Sequence, residues 1–184
     1  MGLDMYLSAK KYVSGYAHSS DEAQAQFKAV LDAAGIDLTG LSDTNSLYVT
    51  PVIGYWRKSN QIHAWFVRNV QDDVDDCGNY YVGREKLEEL LETCKEIAAT
   101  FVWGETVTVK SEHNPIFDYE QRNLLSMDTE LADRLLAPTS GFFFGSTDYD
   151  GWYAGDIEST VKQLGIILDN ESLKDCEFEY HSSW

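Results

Sequence analysis

Three cysteines, three prolines and three methionines in 184 residues leave little material for several common designs. Cys77, Cys94 and Cys176 are odd in number, form no CxxC pair and show no zinc-like spacing to a histidine. Neither a disulfide framework nor a structural metal site is therefore expected, and no cofactor is implied. No apolar run approaches the roughly 20 residues of a spanning helix. The opening MGLDMYLSAKKYV lacks the apolar centre of a signal peptide. Gly2 is not followed by the Ser or Thr that a myristoylation signal wants, because position 6 is Tyr6. A cytosolic, unanchored chain is the expectation. Bases are few beside the acids: 14 Lys and Arg face 31 Asp and Glu, for a net charge of -17 and a pI near 4.4. Such a chain lacks the clustered Lys and Arg that neutralise phosphates, which argues against direct nucleic-acid binding and against an anionic membrane.

What is present is enough apolar material to fold. Hydrophobic residues make up 43% and aromatics 13% of the chain, and the mean hydropathy is -0.34. A chain of this length buries roughly 70% of its unfolded surface and reads as one domain, 1–184. The charge is unevenly placed. Residues 1–71 hold six acids and six bases, whereas residues 72–184 hold 25 acids and eight bases and carry the whole excess. An asymmetry of this kind suggests a charged partner; the competing reading is an acidic surface that favours solubility.

Periodicity outlines an α+β fold, a small antiparallel or mixed sheet packed with four to five helices. Leu3, Met5 and Leu7 alternate with Asp4 and Tyr6 over 2–7, as in a half-buried strand. Helices are predicted over 20–34, 56–70, 84–100, 128–136 and 148–168. Strands are predicted over 46–55, with Pro51 marking an edge or bulge, and over 79–82, 101–110, 141–145 and 176–180. The stretches 36–46 and 111–126 read as irregular. No repeat and no linker divides the chain.

Two constellations invite a partner. On the 84–100 helix, Leu87, Leu90, Leu91, Cys94, Ile97 and Ala98 keep the core period. Glu85, Glu89, Glu92 and Glu96 then form one outward stripe beside Glu88. Eleven residues at 1.5 Å make that row about 16 Å long, long enough to imitate several phosphates spaced ~3.4 Å apart. A solvated helix face is the alternative. The acidic run Asp72, Asp73, Asp75 and Asp76 precedes this helix. It fails the calcium-loop pattern, because Cys77 and Arg84 stand where ligands are required. In 140–153, six aromatics crowd 12 residues, and Tyr149 and Trp152 are candidate exposed anchors for an interface. Thr147 and Asp150 read as a capping box, and Asp148 with Asp150 would repel a phosphate at that helix start.

A chemical alternative rests on the 56–70 helix. Trp56, Asn60, His63 and Val67 would share a flanking stripe, with Arg57, Gln61 and Arg68 beside it. Arg57, Asn60 and His63 are thus candidates for a ligand pocket with His63 as acid or base. No carboxylate or nucleophile is placed by spacing to complete a triad, and the other reading is a hydrogen-bonded boundary histidine.

The segments MGLDMYL, YWRKSNQIHAWFV, DDCGNYYVGREKLEELLETCK, SGFFFGSTDYD and EYHSSW resemble a family of small proteins borne by bacteriophages and prophages. The resemblance spans most of the chain and implies a context rather than an activity: a phage accessory protein in the bacterial cytosol. Small acidic phage proteins often inhibit host defence by occupying nucleic-acid-binding surfaces. The expectation is therefore an acidic binding protein, a nucleic-acid mimic whose partner is a basic host protein.

Overall fold

Alternation along the first strand places the core. In β1 (Asp4–Ser14), Met5, Leu7 and Ala9 are buried while Tyr6, Ser8 and Lys10 point to the opposite face. Leu3, just ahead of the strand, is buried as well. A computed structural model describes residues 2–41, 45–109 and 119–184. Its chain order is β1, α1 (Asp21–Ala34), β2 (Ser46–Val49), β3 (Val52–Arg57), α2 (Asn60–Val70), β4 (Asn79–Val82) and α3 (Arg84–Ala98). Then follow β5 (Val102–Val109), β6 (Tyr119–Ser126), α4 (Thr129–Leu136), α5 (Gly151–Asp169), a short 3-10 turn and β7 (Glu177–Ser183). The fold is α+β, and every strand pairing is antiparallel.

β1 is central. One edge pairs with β7, which in turn pairs with β4; β3 and β2 also pair with β1, over Asp4–Ser8 and Lys11–Ser14. Pro51 separates β2 from β3, and the register shifts between Leu7 and Ser8, so the expected 46–55 strand is two strands joined at an irregularity. Proline has no N–H to give a ladder, which explains the break. The buried side of the sheet meets α2, α3, α4 and α5 through Phe66, Leu87, Leu90, Cys94, Ala132, Ile157 and Leu164. Phe66 stacks on Tyr180 of β7 with ring centroids 3.9 Å apart at 10°. α1 is different. It is capped by Ser20 and stopped by a left-handed Gly35, as its start and stop signals predict, but none of its residues is fully buried.

Several expectations require correction. The helix expected at 56–70 begins only at Asn60. Trp56 and Arg57 belong to β3, where burial alternates between them, and Lys58 breaks the strand with φ at +60°. Trp56 and Arg57 are therefore not on a helical stripe with His63. α2 is also buried on all sides from Asn60 to Phe66, so Gln61 faces inward rather than out. The expected strand 141–145 is a turn: Phe142 and Phe143 are 76% and 54% exposed, and Phe144 alone is buried. Asp150, not Thr147, caps α5, accepting from the backbone N–H groups of Trp152 and Tyr153 at 2.8 and 3.0 Å. In the expected irregular stretch 111–126, residues 111–118 lie outside the described residues, and 119–126 form β6. The loop expectation at 36–46 is likewise only partly covered, since 42–44 lie outside.

β5 and β6 form their own two-stranded sheet. Glu158 of α5 ties it down, accepting from Trp103 Nε1 at 2.9 Å and pairing with Arg122 at 3.2 Å. The Arg122 guanidinium lies 4.2 Å from the Trp103 ring centre.

Candidate binding cleft

The end of β3 and the start of α5 meet across a tight backbone crossing. Lys58 N–H donates to Leu3 C=O at 2.8 Å, which fixes the chain as it leaves the sheet. Gly145, with φ at +101°, passes so close that a Cβ there would lie 3.1 Å from the Lys58 carbonyl oxygen. Asn60, only 1% exposed, locks the crossing. Its Nδ2 donates to the carbonyls of Phe144 and Ser146 at 3.2 and 2.8 Å, and its Oδ1 accepts from Thr139 N–H at 2.8 Å. Asn60 thus holds a loop in place instead of facing a ligand.

Beneath the crossing, α5 is joined to β3 and α2 by a polar stripe. Asp156 accepts from Gln61 Nε2 at 3.2 Å, Thr160 from Trp56 Nε1 at 2.9 Å and Gln163 from the Tyr55 backbone N–H at 3.0 Å. Positions 156, 160 and 163 share one face of the helix. The two elements are held together by hydrogen bonds along this line, and a cleft of about 340 Å³ opens at its Asp156 end.

The cleft has a cationic rim of Arg57 and Lys58, carboxylates from Asp148, Asp150 and Asp156, and aromatic walls from Trp152 and Tyr153. Arg57 is drawn toward Asp4, with Nε 3.9 Å from its carboxylate. Among the described residues, neither Arg57 nor Lys58 forms an ion pair with the cleft carboxylates. Asp150 is engaged as the helix cap, and Asp148 accepts from the Ser146 hydroxyl at 3.0 Å. Asp156 is the unusual member. Burial lifts its carboxyl to about 6, the negative charge of Asp150 adds to this, and hydrogen bonds from Ser59 and Gln61 oppose it.

His63 does not open into this cleft. It is 2% exposed and stands between two partners, the exposed Asp75 and the buried Tyr180. Its Nε2 is 3.0 Å from Asp75 Oδ1, and its Nδ1 is 2.7 Å from the Tyr180 hydroxyl. A carboxylate only accepts, so Nε2 carries the proton, and the neutral ring then accepts from Tyr180 at Nδ1. Burial lowers the pKa of His63, and the charge of Asp75 only partly offsets it. Phe144 meets the ring edge-on at 5.4 Å. Tyr180 is fully buried, and its pKa is raised well above the ordinary value by that burial. The buried ring of His63 is thus bonded to the core on one side and to an exposed carboxylate on the other. Arg57 at the rim, Asn60 in the loop clamp and His63 in the core are thus not one catalytic set.

The acids divide in the same manner. Asp75 turns to His63. Asp76 accepts from Gly78 N–H at 2.7 Å and from the Tyr80 hydroxyl at 2.9 Å, and its own carbonyl accepts from Ser182. Asp72 and Asp73 occupy left-handed turn positions, with φ at 51° and 62°. Among the described residues no group of three or more His, Cys, Asp and Glu is placed to hold a metal ion. On α3, by contrast, Glu85, Glu88, Glu89, Glu92 and Glu96 are all exposed. Three of them pair with bases of the same helix: Glu88 with Arg84 at 3.6 Å, Glu89 with Lys86 at 2.8 Å and Glu92 with Lys95 at 2.8 Å. Trp152 is exposed, as expected of an anchor. Tyr149 is only half-exposed, its hydroxyl donating to Asp133 at 2.8 Å and its ring packing on Tyr153. Burial and that bond push the Tyr149 hydroxyl up to about 12.

Periodicity alone does not single out Asp156, Gln61 and Lys58. One signal was available: the polar stripe at 156, 160 and 163 beside the apolar residues of the same helix, which marks a face turned toward polar partners.

These features define an acidic α+β protein with a charged cleft beside its central sheet. Comparison with protein-family models, curated proteins and solved structures gives no match to this chain. No helix among the described residues is long and apolar enough to cross a membrane.

Proposed function

We propose that this chain is an acidic binding protein that engages a basic protein through the outer face of α3 and the neighbouring carboxylates. The observation that supports this reading is the division of α3. Leu87, Leu90, Leu91, Cys94 and Ile97 of its apolar side are buried, while all five glutamates of its other side stand in solvent. The ion pairs within the helix do not block a partner. Exposed pairs of this kind are worth about 0–1 kcal/mol, so cations on a docking surface exchange with them at little cost. With the phage context that the resemblance implies, the partner is a nucleic-acid-binding protein of the host cytosol, such as a defence component, and the chain is its inhibitor.

The test is capture from bacterial lysate on the immobilised protein, compared with the triple variant Glu89→Lys, Glu92→Lys and Glu96→Lys. The expected outcome is retention of Lys/Arg-rich nucleic-acid-binding proteins at low salt, release at moderate salt, and loss of retention in the variant with an unchanged circular dichroism spectrum. Retention that the triple reversal leaves intact would sink the proposal.

A further inference from the structure

We propose that the cleft between β3 and α5 receives one cationic side chain, an arginine or a lysine of the basic partner, with Asp156 as its counter-ion. This rests on the reading of the chain as a binder of basic proteins and assigns that reading a specific socket.

The cavity comes first. About 340 Å³ lies at the lower end of the usual range for small-ligand pockets and suits a single side chain better than a large cofactor. Its walls match a long cationic side chain in kind. Trp152 and Tyr153 offer aromatic surface on which an alkyl stem packs and over which a guanidinium or ammonium is attracted. Carboxylates outnumber the cations facing the space, three to two.

Electrostatics then selects the sign of the ligand. Asp156 is half-buried and has hydrogen bonds from Ser59 and Gln61 but no ion pair among the described residues. A carboxylate held in this state is desolvated without a compensating charge, and an incoming cation relieves that cost. The groups facing it are Arg57 and Lys58 from the end of β3, Asp148 and Asp150 from the loop, and Tyr153 one turn earlier on α5. Arg57 is 61% exposed and leans to Asp4, away from the inner carboxylate, and Lys58 forms no ion pair with it among the described residues. A ligand anion held by Arg57 and Lys58 would have to sit beside three carboxylates, which disfavours it.

The test uses capped arginine, the N-acetyl methylamide, titrated into the whole protein while the amide and indole N–H signals are followed by NMR. Capped lysine, capped citrulline and capped glutamate serve as comparisons. Expected are saturable shifts at Gly145 N–H and the Trp152 indole for arginine and lysine, and none for citrulline, the neutral isostere. Asp156→Asn weakens arginine binding at least about tenfold, the factor that one lost charge pair worth 1.4 kcal/mol produces. Binding by the unaltered protein also fades as the pH falls through about 6, where Asp156 takes up its proton. Equal binding of citrulline, preference for glutamate, no shift with any of the four, or indifference to Asp156→Asn would each overturn the proposal. Lysate capture separates the two readings. Retention lost by the α3 reversal and kept by Asp156→Asn defeats the socket alone; retention indifferent to the α3 reversal defeats the wider reading.

Discussion

The run Asp72–Asp76 and the row Glu85–Glu96 are separated only by β4, and in composition they are the same kind of segment. Their side chains lead opposite lives. Asp75 and Asp76 are exposed but bonded into the fold, one to a buried histidine and the other to the backbone and hydroxyl groups of its own turn. The α3 glutamates all turn outward, and among the described residues Glu88, Glu89 and Glu92 pair with lysine and arginine of the same helix. Density of acid along a chain is therefore a poor measure of acid left unbonded to the fold. A carboxylate next to a sheet edge or a buried ring becomes part of the fold; one on the far side of an amphipathic helix is left for solvent or for a partner.

This contrast is sharpest at His63. Replacing it with Ala removes a ring packed on Phe144 and leaves the Tyr180 hydroxyl and Asp75 unpaired. The expected cost is about 3 kcal/mol in urea unfolding, and a loss under about 1 kcal/mol would break the distinction between acids bonded into the fold and acids left to solvent. Asp76→Ala deletes the acceptor for Gly78 N–H and the Tyr80 hydroxyl at an exposed turn, and a loss of about 1 kcal/mol is expected by the same measurement.

The pH dependence of stability probes the two half-hidden charges, which act with opposite sign. His63 has a lowered pKa in the folded chain. As pH falls through 6.5, the unfolded chain takes up a proton that the folded chain resists, and stability is lost. Asp156 is held near 6 instead of 3.8, so the folded chain binds the extra proton between those values and loses stability as pH rises across that window. Asp156→Asn is therefore expected to gain on the unaltered protein from pH 4 to 7, as read from paired thermal melts. A gap that stays constant with pH would mean that the carboxylate is as well solvated as a surface one. The smallest effect belongs to α3. Glu92→Gln and Glu96→Gln are each expected to change stability by less than about 0.5 kcal/mol, and a larger loss would give the outward row a structural duty.

Much of the fold was legible. α3 and the core stripe of α5 follow from a 3.6-residue period uninterrupted by any competing signal, and β1, β4 and β7 from alternation. Residues 55–58 were harder, because Tyr55, Trp56 and Arg57 satisfy both periods. What decides the matter is distant: β1 supplies the ladder for β3, and Leu3 accepts from Lys58. Gly-Phe-Phe-Phe-Gly reads as buried by composition, yet the backbone turns left-handed at Phe143 and leaves two rings outside. The loop is held by Asn60, some 80 residues earlier, through side-chain bonds that no local pattern records. The cleft was illegible for the same reason. Arg57 was named as a candidate and does face it, but its neighbours come from an element 90 residues away.

Glu158 joins the β5–β6 ribbon to the body of the protein through one carboxylate that serves both the Trp103 indole and the Arg122 guanidinium. A fastening made of one charged group on a half-exposed site governs the order in which the molecule comes apart. Among the described residues the ribbon's strands pair only with each other, so its amides are expected to exchange with deuterium through a partial opening that leaves the five-stranded sheet intact. Ions in solution compete with the Arg122 half of the fastening. Added salt is thus expected to speed exchange in β5 and β6 before it does so in the larger sheet.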